Sequence, residues 1–247
     1  MSSFDTDRQA VYDSDLVLKM ARNHVNLFEK VVDIEFLKNL EQVRDYTMLS
    51  IERLYDLYLT VNYLNAAKIT GDILEIGTWR GGALALALLS DTTESRKVIG
   101  FDTFDGHAAP NEDEYDVRGD NMRKRWDSVT ARGAKMAFAD FDECNAFLHR
   151  IASRNINRYE IIKGDFKETA LNFPDTPLSI LRVDCDWYPE SLFSLEKFWP
   201  MLKVGGFLIL DDYGHHSGQK RAFHTFFNWP VKYTHVDYSC ITIQKIS

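Results

Sequence analysis

Residues 71–82 read GDILEIGTWRGG, and this stretch decides the fold class. DILEI is an apolar run of strand length, and GGALALALLS at 81–90 reads as a helix. Between them Glu75, Gly77, Gly81 and Gly82 form E-x-G-x-x-x-G-G. The dinucleotide turn G-x-G-x-x-G, which packs a pyrophosphate on a helix N-terminus, has a different spacing. Without Cβ atoms, Gly81 and Gly82 let backbone N–H groups and the helix start approach a ligand.

Outward from this turn, strands and helices alternate. KVIGFD (97–102), YEIIKGD (159–165), LSILRVDCD (178–186) and GGFLILDD (205–212) are further strands. PESLFSLEKFWPML (189–202) and GQKRAFHTFF (218–227) are helices between or after them. VKYTHV (231–236) and CITIQK (240–245) are joined only by DYS, as an antiparallel pair would be. Continuous apolar strands separated by helices predict a mostly parallel sheet covered on both faces. Between Phe104 and about Asp140 the pattern is lost, and a connection this long is expected to be a lid or a solvated excursion.

Upstream, residues 1–70 read as a helical extension rather than a separate domain, because they are too few to bury a core alone. Asp15 is expected to cap a helix over 16–32. In 47–68, Leu54, Leu57, Val61 and Leu64 recur at three- and four-residue steps, the apolar face of an amphipathic helix. The alternating α/β part is expected to form one domain over 71–247, with the lid at 104–140.

The bulk numbers bound the function. The chain has 247 residues and a formal charge of −8, which argues against a generally basic nucleic-acid surface. Three scattered cysteines form neither a disulfide framework nor a zinc spacing. No export segment or membrane-spanning run is visible, so a cytoplasmic location is expected, with no nucleic-acid or membrane partner.

Acids end three successive strands. Glu75 precedes the first turn, Asp102 ends the second strand, and Asp165 with Phe166 follows the third. In an open parallel sheet, ligands sit beyond the carboxyl ends of the strands where their order reverses. An acidic rim suits a cationic ligand with an amino-acid end, such as S-adenosylmethionine, better than a pyrophosphate. Asp102 is placed to accept ribose hydroxyl protons. Asp165 and Phe166 are placed to hold an adenine amino group and stack on its ring. The competing reading is that these acids only cap helices.

RVDCDWY (182–188) and LILDDYG (208–214) carry a second cluster. Asp184 and Asp186 are two apart and share a side if the strand continues; Asp211 and Asp212 end the next strand. Two carboxylates about 4 Å apart repel by roughly 4 kcal/mol at an effective dielectric near 20. Such a cluster takes up protons, spreads or binds a cation. All-oxygen donors suit Mg²⁺ or Ca²⁺, with Mn²⁺ as a close substitute. A divalent ion could lower the pKa of a substrate hydroxyl, and a free carboxylate could remove its proton for attack on a methyl group. Asp211 and Asp212 could instead only shape the turn.

With these residues in place, the chain resembles the macrocin O-methyltransferase family. The matching stretches run in order through YTMLSIERLYDL, GDILEIGTWRGGALAL, GFDTFDG, IIKGDF, LRVDCDWYPESLFSLEKFWPMLKVGGFLILDDYG and GQKRAF, roughly residues 46–227. The resemblance implies an α/β class I methyltransferase fold: a Rossmann-like sheet, mostly parallel with the last strand antiparallel, and an N-terminal helical extension. It implies methyl transfer from S-adenosylmethionine to a sugar hydroxyl of a secondary metabolite, such as an antibiotic. It implies that Asp184, Asp211 and Asp212 bind the metal and that Asp186 is the general base. The expected cofactor shell is Thr47, Met48, Glu75, Gly77, Thr78, Trp79, Arg80, Gly81, Asp102, Thr103, Phe104, Gly164, Asp165, Phe166 and Asp184. The acceptor would be a glycoside or an activated sugar, and the family's habit predicts a homo-oligomer.

Three positions depart from the family pattern: Cys185 stands for a glycine, Trp187 for a leucine and His224 for an acid. The first two bear on the acceptor pocket. His215 and His216 follow DDYG and read as a solvated loop pair, Lys220 and Arg221 as a solvated helix face, and Cys185 as a small buried side chain. Two rival readings remain open at this point: a metal-dependent catechol-type O-methyltransferase, and a protein that binds S-adenosylmethionine without catalysis.

Overall fold

The structure is a computed structural model that describes residues 33–246. The helix expected at 16–32 lies outside the described residues. The first described helices are α1 (Ile34–Val43) and α2 (Ile51–Ala66). Ser50 caps α2 by accepting a hydrogen bond from the Arg53 N–H at 3.3 Å. A cap of this kind stabilises by about 1 kcal/mol. Leu54, Leu57, Val61 and Leu64 are all buried, and their face packs against α3 (Gly82–Ser90). Burying each such leucine contributes about 1.5–3 kcal/mol.

The sheet strands are β1 (Asp72–Ile76), β2 (Val98–Asp102), β3 (Tyr159–Lys163), β4 (Leu178–Val183), β5 (Leu202–Leu210), β6 (Thr234–His235) and β7 (Ile241–Gln244). Their order is β3-β2-β1-β4-β5-β7-β6. β1 to β5 pair in parallel; β7 is antiparallel to both β5 and β6. The order reverses between β1 and β4, which places a crevice at their carboxyl ends.

Two further helices escaped the sequence pattern, α4 (Met122–Thr130) and α5 (Phe141–Ile151). The first sits inside the stretch read as irregular. Only Met122 of α4 is buried, so its apolar face is too thin to show a period. Asn121 and Asp140 cap the two helices. The short α6 (Phe166–Thr169) follows β3, α7 (Tyr188–Phe198) follows β4, and α8 (Ser217–Phe226) follows β5.

The core has two layers. Residues of α1, α2, α3 and α5 cover one face of the sheet; Leu195 and Phe198 of α7 and Phe223 of α8 cover the other. No helix among the described residues is long and apolar enough to cross a membrane.

Candidate active site

The site begins where β1, β4 and β5 end side by side. Gly77 has φ +91°, and a Cβ there would lie 1.8 Å from the Asp184 carbonyl oxygen. Only glycine lets the two strand ends come this close. The Asp184 N–H donates to the Ile76 carbonyl at 2.8 Å, and the Asp211 N–H to the Val183 carbonyl at 3.1 Å. These bonds carry the ladder one residue past each strand. Carboxylate oxygens of Asp184, Asp211 and Asp212 then lie within 4.8 Å of one another. Asp212 is fixed from α8: its N–H donates to Gln219 Oε1 at 2.7 Å, and Gln219 Nε2 donates to the Val183 carbonyl at 3.2 Å. Asp212 Oδ2 is buried without a partner.

Two arginines that the sequence reading did not single out sit among these acids. Arg182 ion-pairs with Glu75 and Asp211, and with Asp184 at 2.9 Å. Arg53, from α2, pairs with Asp211 and with Asp237 at 2.6 Å. Negative charge still exceeds positive charge. Burial, followed by the neighbouring Asp211, pushes the Asp184 carboxyl well above the usual range against the pull of Arg182. Burial, then Asp186 and Asp211, does the same to Asp212. Burial raises Glu75 to about 8 despite Arg182, and Glu75 Oε2 has no partner. Carboxylates held this far from ordinary ionisation are a candidate functional cluster.

Asp186 does not continue the strand. β4 ends at Val183, and Asp186 has φ +60°, so the chain turns before it. The expected alternation that would set Asp184 and Asp186 on one side therefore does not apply. Asp186 instead groups with Asp212 and His216, with ligand atoms within 4.8 Å of one another. Burial pushes its carboxyl up to about 7, partly offset by a hydrogen bond from Asp212. His216 is buried, not solvated as the loop pair was read. Burial lowers both His215 and His216 to about 4. Cys185 is partly buried, its Sγ 3.7 Å from Ser191 Oγ. Trp187 is buried and donates through Nε1 to the Ala108 carbonyl at 3.2 Å.

The glycine turn lies beside this cluster. Thr78 is buried, and its Oγ1 donates to the Phe101 carbonyl at 3.3 Å. Asp102 accepts the Trp79 N–H on one oxygen and the Phe104 N–H on the other, each at 2.7 Å. Burial raises its pKa, opposed by these bonds. Trp79 and Phe104 take left-handed backbone conformations around it, φ +47° and +52°. The Gly164 N–H donates to the Asp102 carbonyl at 2.9 Å, and Thr103 Oγ1 donates to the Gly106 carbonyl at 3.1 Å. Arg80 donates to the Asp45 carbonyl at 3.0 Å and lies over the Tyr46 ring. A Cβ on Gly82 would meet the Tyr46 carbonyl oxygen at 2.5 Å and Thr47 Cβ at 2.6 Å. Thr47 is thus brought to the turn, while Met48 is exposed. Gly81 caps α3 at φ +84°. Asp165 caps α6 through Lys167, and Phe166 is buried edge-on to Phe193. Its ring belongs to the core, so the stacking surface expected of it is largely covered.

The 104–140 segment lies over the cluster. Glu114 Oε1 accepts the Tyr188 N–H at 3.0 Å, and Asp116 bridges to His216. Arg221, read as a solvated residue, pairs with Asp113 and lies over the Tyr188 ring at 4.8 Å.

Comparison with known proteins gives a consistent result. The family described as macrocin-O-methyltransferase (TylF) matches residues 15–245. A demethyldecarbamoylnovobiocin O-methyltransferase from Streptomyces niveus is 30% identical over 178 residues, covering 68% of this chain and 62% of that protein. A mycinamicin III 3''-O-methyltransferase from Micromonospora griseorubida is 28% identical over 178 residues, covering 68% and 65%. The match thus spans less than two thirds of the length of either relative. The solved structure of the O-methyltransferase NovP aligns with TM-score 0.67 at 26% identity, over 82% of this chain and 83% of that one. CalS11, a calicheamicin methyltransferase, shares the fold over 99% of this chain and 93% of its own, with TM-score 0.59 at 18% identity.

Proposed function

The chain belongs to the macrocin O-methyltransferase family, and from that premise we propose that it transfers a methyl group from S-adenosylmethionine to a sugar hydroxyl of a secondary metabolite. The observation that carries the reading is the convergence of Asp184, Asp211 and Asp212 at adjacent strand ends, with Asp186 beside them.

The residues present fit a divalent ion and S-adenosylmethionine. Three buried or half-buried carboxylates, one with an unpartnered oxygen, make an all-oxygen donor set for a hard divalent ion such as Mg²⁺. Asp102 has spent one lone pair on each oxygen, and a carboxylate offers about four, so it retains capacity for ribose hydroxyls. The ion supplies Lewis acidity that makes a hydroxyl easier to deprotonate. S-adenosylmethionine supplies the electrophilic methyl carbon.

The chain's own residues do the rest. Asp184, Asp211 and Asp212 would hold the ion. Arg182 and Arg53 balance part of their charge and keep Asp211 in place. Asp186, held near neutrality by burial, removes the hydroxyl proton; a base matched to the working pH is the efficient choice. Asp102 and the Gly77–Gly81 turn bind and orient the cofactor, and the overlying 104–140 segment excludes water.

The test is a mass-shift screen of sugar-bearing acceptors and catechols, with chelator-treated and Mg²⁺-restored protein. The reading predicts a one-methyl increment on sugar hydroxyls that is lost with chelator and recovered with Mg²⁺. Full activity after metal removal would remove the ion from the account, and methylation of catechols alone would favour the catechol-type rival.

A further inference from the structure

The role proposed for Asp186 requires its carboxylate to be held in one orientation, and two histidines from separate segments reach it. His107 Nδ1 lies 3.2 Å from Asp186 Oδ2, and His216 Nε2 lies 3.4 Å from the same oxygen. Both rings stand edge-on to Trp187, at centroid distances of 5.3 and 5.1 Å.

The two histidines have different origins. His216 follows β5, and its backbone N–H donates to the Asp212 carbonyl at 2.8 Å. Its Nδ1 is buried without a partner. A neutral imidazole has one N–H and one lone pair. A proton on Nε2 faces Asp186 and leaves only the lone pair unmet. His107 belongs to the 104–140 segment. Its N–H donates to the Met136 carbonyl at 2.9 Å, and its carbonyl accepts Trp126 Nε1 at 2.9 Å. The same segment grips the turn after Asp186, through the Ala108 carbonyl on Trp187 and Glu114 on the Tyr188 N–H.

We propose that His107 is a positioning residue: seating the 104–140 segment brings its imidazole onto Asp186 Oδ2 and so fixes the proposed base against His216. Docking of the segment and assembly of the base are then one event. An open segment leaves the Asp186 carboxylate with His216 and Asp212 but without His107. The inference rests on the reading of Asp186 as the base, and His107 acts through it rather than on the substrate.

The test needs no acceptor. Nitrogen-15 NMR of the histidine rings in the full chain reports which nitrogen carries the proton. The wild type should show His107 protonated at Nδ1. Asp186→Gly should abolish that preference, since glycine tolerates the left-handed backbone and removes the acceptor. Hydrogen exchange at the Tyr188 amide reports docking. His107→Ala should speed it by up to about tenfold, the upper scale of one lost polar contact. His107→Asn places a donor near Nδ1 and should bring exchange back to within about twofold of wild type. An unchanged Tyr188 rate in His107→Ala, or a His107 tautomer indifferent to Asp186→Gly, would overturn the proposal. Failure of the base reading would show separately, as unchanged turnover in Asp186→Asn with the His107 ring undisturbed.

Discussion

Arg53 of the N-terminal helix pair reaches across the fold to ion-pair with Asp211 at the end of β5. Its Nε holds Asp237 at 2.6 Å, and its side chain is only 13% exposed. The extension is therefore wired into the acid cluster, not merely packed behind it.

Removing Arg53 should be costly. Breaking a buried ion pair by deleting one partner leaves an uncompensated charge and costs about 3–5 kcal/mol. Arg53→Met should lower the unfolding free energy extrapolated from urea by that amount, and the urea midpoint with it. A midpoint within error of the wild type would show that water reaches the pair freely.

Two glycines with nearly equal φ make a controlled comparison. Gly77 has φ +91° and a Cβ position 1.8 Å from the Asp184 carbonyl oxygen; Gly119 has φ +84° and nothing within 4 Å. Gly119→Ala should cost only the left-handed strain, about 1–2 kcal/mol. Gly77→Ala adds the clash, should cost clearly more in thermal or urea unfolding, and should displace Asp184. Equal costs would refute the close-approach argument.

The acid limb of stability should depend on Asp237. Burial raises its pKa, but the N–H groups of Cys240 and Ser239 and the Arg53 guanidinium outweigh it and leave it lowered. A lowered carboxyl contributes stability above its unfolded pKa of about 3.9 and loses it as pH falls through the folded value. Asp237→Asn should therefore be less stable than wild type at neutral pH, and the two curves should approach each other below about pH 4. A constant difference down to strong acid would assign the effect to packing.

Much of this fold was legible because a buried parallel strand needs a continuous apolar run, and DILEI, VIGFD and LSILRV supply them. The apolar face of α2 was legible for the same reason. α4 was not, since almost none of it is buried. The strand-end acids stood out, but their counter-charges did not. Arg182 sits within a run otherwise buried and mostly apolar, and it pairs in register with Glu75 on β1. A charged residue in such a strand signals an opposite charge on the neighbour, and that signal was present in both stretches. His107 carried none. Its meeting with Asp186 depends on how the 104–140 segment returns over the sheet, which no local pattern encodes.

Metal titration tests the central claim most directly, and Asp212 is the residue to change. Asp211 is held by two arginines, so replacing it would also strand their charges, whereas Asp212 Oδ2 is buried and unpartnered. Calorimetric titration of Mn²⁺ into chelator-treated protein should show one site per chain, weakened at least about tenfold in Asp212→Asn, the lower end of effects seen even for groups that only hydrogen-bond to a metal ligand. Superimposable curves for the two proteins would contradict the account.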